Sequence, residues 1–426
     1  MNVYILKTGS KIESLGDEPV LSIFGQMSVL RYMIDMIKSL GHNPVILESS
    51  SGFEKGEGVI ICDRVFVSKK LLDDFLKGID RRQVNMLGVL RTVTSSYNLP
   101  IMDVEINRLE DGSEGIFYSC FYSPDCERLK DMDIIDVEIF LKGVANRHIT
   151  KTREITIDMK LPSIKDKKYI LRFPITSSVA AHLNHWIHIL RLNHLAYGIF
   201  WLEYIYTHIG GTAAMVLRSF GDGLPSSHYE ILKRMNIIDK DAEIHKSAYV
   251  EASFIGKGAK IGAGSLIRNS FIGENAVIGD GATVLNCTIS ENAYIADATA
   301  IIFSTVYPET SVSNVKIQMS LIGRNTFIHQ WCSFLDARFV GDVMVSHRGE
   351  TVSAGTPFLG SCIGHNCNMA GKVLIMPGRA IPNNITMVMR PDETISFIPE
   401  NLPQNVPLVR DNGTLIPLSA LKGEKR

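Results

Sequence analysis

The chain has 426 residues, with 44 Lys and Arg against 45 Asp and Glu, 45% hydrophobic and 21% charged residues, and a formal net charge of −1. This ordinary globular composition excludes disordered and collagen-like classes, and the length predicts two or three domains. The balanced charge argues against a dedicated nucleic-acid binder, and so against a nucleic-acid partner.

No apolar run reaches the roughly 18 residues that a membrane span needs. The richest stretch, Ile187 to Ile209, is broken by His188, Arg191, Asn193, His194, Glu203 and His208, and predicts a buried helix. The N-terminus, MNVYILKTGSKIESLGDEP, lacks the charged and apolar regions of a secretory signal. Seven scattered cysteines (Cys62, Cys120, Cys126, Cys287, Cys332, Cys362 and Cys367) form no CxxC pair, which predicts free thiols and a cytoplasmic location.

The first segment alternates strand and helix signals. Val3 to Leu6 reads as a strand. Gln26 to Leu40 places Val29, Leu30, Met33, Ile34, Met36, Ile37 and Leu40 at helical spacing, with Gly41 as the stop. NPVIL and GVIICD read as strands, and a helix follows from Lys69 to Leu76. The pattern predicts an α/β domain with a parallel sheet. Apolar runs at Ile134 to Leu141 and Tyr169 to Phe173 are expected to add strands to it. Residues 177 to 220 read as two helical segments around Trp186 and Trp201. Together these give an α/β domain over 1–175, a helical linker over 176–236, and a remainder from 237.

The remainder carries the strongest pattern. Apolar residues fall at Ile238, Ile244, Val250, Ile255, Ile261, Ile267, Ile272, Ile278, Val284, Ile289, Ile295, Ile301 and Val306, in steps of 6, 6 and 5 repeated four times. A period near six with small residues between is a hexapeptide repeat, in which three short strands make one triangular coil. The apolar residue points into the prism, and Gly, Ala, Asn and Asp serve the corners. This predicts a left-handed parallel β-helix over 237–400, with Gly341 to Gly360 thrown out as a loop and a proline-marked tail over 401–426.

An α/β start, a helical linker and this β-helix together resemble the sugar-1-phosphate nucleotidyltransferases, nearest in layout to the bifunctional uridylyl- or thymidylyltransferases joined to a hexosamine-1-phosphate acetyltransferase. The stretch FLGSCIGHNCNMAGKVLIMPGRAIPNN is similar to the end of the archaeal acetyltransferase β-helix. The resemblance implies a Rossmann-like nucleotidyltransferase-type domain whose Gly-rich loop holds nucleotide phosphates. Here that loop is ILKTGSKIESLGDEP. Gly9 matches, with Ser10 and Lys11 beside it, but the second Gly and the Arg are missing and Glu18 stands where the family has Lys. Asp63 matches the metal-holding Asp, with magnesium as the implied ion; capping of the following helix is the other reading. A carboxylate at 18 opposes triphosphate, and without the Arg a developing phosphoryl charge lacks its cation.

In β-helix acyltransferases, which the C-terminal half resembles, a His acts as general base and acetyl-CoA or another acyl-CoA lies in a groove between prisms, commonly of a trimer. The resemblance places His347, in the extruded loop, and His329 as catalytic candidates, with His365 behind them. Arg348, Lys372 and Arg379 are candidates for sugar phosphate or CoA phosphates; solvated surface charge is their plainer reading. Asn325, Asn366 and Asn368 read as corner residues. His182, His185 and His188 step by three on an expected helix, with His194 nearby, which allows a metal set or a buried seam with Trp186 and Trp201 as anchors. The function expected is a sugar-phosphate or nucleotide-sugar transferase, acyl transfer before nucleotidyl transfer, assembled as a homo-oligomer. The alternative is an inactive scaffold that binds nucleotide sugar.

Overall fold

The computed structural model describes residues 1–96, 101, 105–160, 170–211, 213, 235–395 and 397–420. Strand Asn2–Leu6 lies between Asn43–Leu47 and Gly58–Cys62, parallel to both. The sheet continues through Glu114–Ser123 to Asn85–Leu90 and ends at Asn146–Thr150. Glu114–Ser123 runs antiparallel to both its neighbours, so the sheet is mixed and not parallel as the sequence suggested. Its residues are almost all buried, and a return from Glu105–Arg108 sets its direction.

Helix α1 (Val29–Ser39) starts where the Ser28 hydroxyl accepts the Arg31 amide at 3.2 Å. It buries Val29, Tyr32, Met33, Met36 and Ile37 and stops before Gly41, which has φ of +78°. Helix α2 (Lys69–Gly78) turns Leu71, Leu72, Phe75 and Leu76 to the same core. A short α3 (Val93–Ser96) follows the sheet.

Two expected strands behave otherwise. Residues 134–141 form part of α4 (Ile134–Val144), which buries Val137, Glu138 and Leu141. Ile135, Ile139, Phe140 and Val144 are exposed, and this second apolar face hid the helical stripe in the sequence. Ile170–Ile175 pairs only with Ile155–Lys160, as a separate antiparallel ribbon, and adds nothing to the main sheet.

Residues 186–207 form one helix, α5 (Trp186–Thr207), in place of the two expected segments. The chain before it is extended at Ala180–His182. Residues 212 and 214–220 of the expected helical region lie outside the described residues. Helix α5 is a wedge between the sheet and the prism. Asn193 marks its position: its Nδ2 donates to the Ile23 carbonyl at 2.7 Å, and its Oδ1 accepts from Gly25 N–H and from the Thr288 hydroxyl of the β-helix, at 3.0 and 3.1 Å. Trp186 is 1% exposed, and Trp186→Ala is expected to cost about 3–5 kcal/mol. The check is a fall in the denaturant midpoint for loss of both domains, since α5 belongs to the core they share.

From Ile237 the chain winds as three stacks of short parallel strands, the sides of a prism. Register repeats every 17 residues, as in Ile255 beside Ile272 beside Ile289. From Val250 onward the predicted apolar positions point inward and are buried; Ile238, in the terminal coil, is 44% exposed because no coil covers it. Asn269, Asn275, Asn286, Asn292, Asn325 and Asn366 occupy left-handed corners, with φ between 48° and 54°. The expected loop folds as a hairpin, Met344–His347 with Glu350–Ser353. It turns back: Val343, Val345 and Ala354 are buried in the core shared with α5. The side of the prism carrying Phe254, Phe271, Leu321 and Cys362 packs against the N-terminal domain.

Candidate functional site

The loop after the first strand is the expected phosphate cradle. Thr8 donates its amide to Asp63 Oδ2 at 2.9 Å and its hydroxyl to Oδ1 at 2.7 Å. Asp63 is 1% exposed, and burial pushes its carboxyl above the usual range in spite of these bonds. A magnesium ion keeps several waters and needs carboxylate lone pairs free toward them. Asp63 has both oxygens committed inside the protein, so it holds the loop and does not fit a metal ligand. Ser10 shares a 2.7 Å hydrogen bond with Thr8. Gly9 has φ of +72° and open space beside it. Lys7 and Lys11 approach Glu18 at 3.0 and 3.8 Å, and Lys7 also meets Glu48 at 2.8 Å. The cations of the loop are therefore answered by its own carboxylates.

The rest of the loop is fastened to the β-helix. Asn383 Nδ2 donates to the Leu15 carbonyl at 2.7 Å. Asp17 accepts from Arg324 at 2.5 Å and from His365 Nε2 at 3.1 Å, while His365 Nδ1 accepts the Arg324 amide at 2.9 Å. His365 is 4% exposed, with both nitrogens engaged, which makes it a fastening residue and not a base. Burial raises the Asp17 pKa, but the bonds to His365 and Arg324 outweigh it and hold the carboxyl below its ordinary 3.8. A depressed carboxylate stabilises the fold above its unfolded pKa and loses that contribution as pH falls through the folded value. Asp17→Asn is thus expected to lower Tm near neutral pH, with the gap to wild type closing below about pH 3.8. Thermal melts across that range measure it.

Glu13 makes the second fastening. Its Oε2 accepts from His347 Nδ1 at 2.8 Å and its Oε1 accepts the Arg348 amide at 2.8 Å. The carboxylate fixes the proton on Nδ1, so Nε2 is the basic nitrogen of His347. His185 lies edge-on to His347, ring centroids 5.6 Å apart. Its Nδ1 accepts the Ile187 amide at 3.3 Å, and its Nε2 lies 3.0 Å from the Ser346 carbonyl. Nε2 therefore carries the proton and donates. Burial pushes the His185 pKa down to about 4, so the ring is neutral.

Glu13, His185 and His347 place ligand atoms within 4.8 Å of one another, the spacing of a metal centre. His185 has no lone pair to give: one nitrogen accepts from a backbone N–H and the other is a donor. The trio fits a hydrogen-bonded support for His347. The expected helical histidine face also dissolves, because His182 ends a strand, His185 caps α5, and only His188 and His194 lie within the helix. His194 Nε2 meets the Phe303 carbonyl at 2.9 Å, and burial pushes its pKa down to about 4.

The other candidates scatter. His329 is exposed, its ring edge-on to Phe327 at 5.9 Å, and lies outside the Glu13–His347 network. Lys372 is exposed at a corner, with φ of +63°. Arg379 donates to the Met344 carbonyl at 3.1 Å, at the base of the hairpin. Asn325 and Asn366 form a corner ladder with Asn384, each bond 3.0 Å, whereas Asn368 is a strand residue. Sequence reasoning missed Glu13 and Asp17. Glu13 is 334 residues from His347, and no local spacing announces the pair.

Residues 231–315 match the family model described as GMPPB C-terminal domain, in agreement with the resemblance to sugar-1-phosphate nucleotidyltransferases in the β-helix. No curated protein matches the chain. Among solved structures, a Bacillus cereus protein, the BC4754 gene product assigned as an acetyltransferase, is similar over 34% of this chain and 73% of its own. Identity is 12% and the TM-score 0.18, an overlap too loose to bear on the site. No helix among the described residues is long and apolar enough to cross a membrane.

Proposed function

We propose that the chain is an acyltransferase acting on a sugar phosphate or nucleotide sugar, with His347 as general base and an α/β domain that no longer transfers nucleotidyl groups. The observation that carries this reading is the 2.8 Å bond from His347 Nδ1 to Glu13, which leaves Nε2 to take a proton from an acceptor amine or hydroxyl. An acyl-CoA would supply the activated acyl group. Glu13 stabilises the imidazolium formed as the proton arrives, and the Ser346 contact from His185 fixes the backbone beside it. A homo-oligomer, a trimer through the β-helix, and a cytoplasmic location belong to the same reading.

A second reading, an inactive scaffold that binds nucleotide sugar, draws support from Glu18. It neutralises the lysines that a triphosphate would need. A thermal-shift series separates the two. Acyl-CoA and sugar phosphates are expected to raise Tm, and nucleoside triphosphate with magnesium to leave it unchanged. Stabilisation by nucleotide sugar alone, with none from any acyl-CoA, favours the scaffold.

A further inference from the structure

At the base of the hairpin, a groove of about 600 Å³ is lined by Arg338, Met344, Leu374, Met376, Pro377 and Arg379, closed behind by Ile375 and Ile381. Its size suits a bound small molecule, for which pockets of roughly 300–1,000 Å³ are usual. Its floor is apolar and open: Leu374 is 59% exposed and Met376 56%. Its two charged groups are both guanidinium. Arg338 donates one N–H to the Asp342 carbonyl at 2.8 Å, and Arg379 one to the Met344 carbonyl at 3.1 Å. A guanidinium has five N–H donors, so each bond fixes the fork and leaves most of its donors unused. No carboxylate lines the groove, and among the described residues neither arginine forms an ion pair.

Two forks beside a strip of Leu, Met and Pro are complementary to one kind of molecule. A phosphate takes bidentate bonds from arginine better than from any other side chain. An aliphatic chain covers the Leu374 and Met376 surface that water now meets. We infer that this groove binds an anionic amphiphile, a phosphate head on an aliphatic chain, with Arg338 and Arg379 on the phosphate and Leu374 and Met376 under the chain. The site stands apart from the Glu13–His347 pair, and its binding does not depend on acyl transfer.

Titration calorimetry with decyl phosphate tests this on the full chain, with inorganic phosphate and decyltrimethylammonium as partial probes. Decyl phosphate is expected to bind at least tenfold more tightly than either. Arg338→Gln and Arg379→Gln should each weaken it about tenfold, and Leu374→Ala should weaken it while leaving inorganic phosphate unaffected. Unchanged melting temperatures of the variants show that the fold is intact, and Arg338→Gln serves if loss of the Arg379 contact disturbs the hairpin. Two further arms find the source of the head group: decanoyl-CoA in solution for a soluble thioester, and phosphatidic acid vesicles for a membrane lipid. Capture of either supports the assignment. Equal binding of decyl phosphate and decyltrimethylammonium overturns it, as does indifference to the double Arg338→Gln, Arg379→Gln substitution. Concentration-dependent self-association abolished by Met376→Asp, with no alkyl phosphate bound, also overturns it and gives the face to a second copy of the chain.

Discussion

Gly360→Ala is expected to destabilise the β-helix by about 3 kcal/mol or more, at the upper end of what overpacking usually costs. Gly360 is where the chain re-enters the prism after the hairpin. Its amide bonds the Met319 carbonyl at 3.0 Å, and its own carbonyl accepts from Gly378 at 2.7 Å. A Cβ there would sit 2.1 Å from the Ser320 hydroxyl, 2.2 Å from the Gln318 carbonyl and 2.9 Å from the Met319 carbonyl. Two of these are backbone atoms of the coil below, so no rotamer change relieves the clash. Gly9→Ala makes the comparison informative. It meets nothing within 4 Å, and its strain comes only from φ of +72°, a cost of about 1 kcal/mol. Urea unfolding should therefore rank Gly360→Ala well below Gly9→Ala. Equal midpoints would mean that the coils tolerate separation at this junction.

His347→Ala is expected to lower acyl-transfer turnover by about 10²–10⁴-fold, the usual contribution of a positioned general base. Glu13→Gln should act in the same direction and less severely. A Gln side-chain oxygen can still accept the Nδ1 proton, but it lacks the charge that favours the imidazolium. Because Glu13 works through His347, the double substitution should be no slower than His347→Ala alone. Multiplied losses would show that Glu13 acts separately, for instance by holding the hairpin in place. His329→Ala supplies the contrast, since that exposed side chain lies outside the network.

The β-helix was legible because its repeat is local. A strand-and-turn unit of five or six residues must place one apolar side chain inward, and Ile255, Ile272 and Ile289 state that rule on their own. Helices α1 and α2 were legible for the same reason. The sheet order was less so: nothing near Glu114–Ser123 says that this buried strand runs antiparallel. Helix α4 was misread because Ile135 and Ile139 put apolar residues on its exposed face as well. The site was legible only in half. His347 stood out as a titratable residue in a break of the repeat, and Glu18 as a carboxylate among lysines. Their meaning depended on partners supplied by tertiary contact. Glu13 and Asp17 turn the phosphate loop into an anchor on the β-helix, and no spacing within the loop distinguishes that from a nucleotide cradle.

The central claim is that chemistry has left the loop and resides at the hairpin. Its most direct test gives one preparation of the full chain two substrate mixtures: a nucleoside triphosphate with magnesium and a sugar-1-phosphate, or acetyl-CoA with amino-sugar phosphates and their nucleotide derivatives. The account predicts release of free CoA in the second mixture, lost in His347→Ala, and no pyrophosphate in the first. Pyrophosphate release that survives His347→Ala, without CoA release, would contradict it.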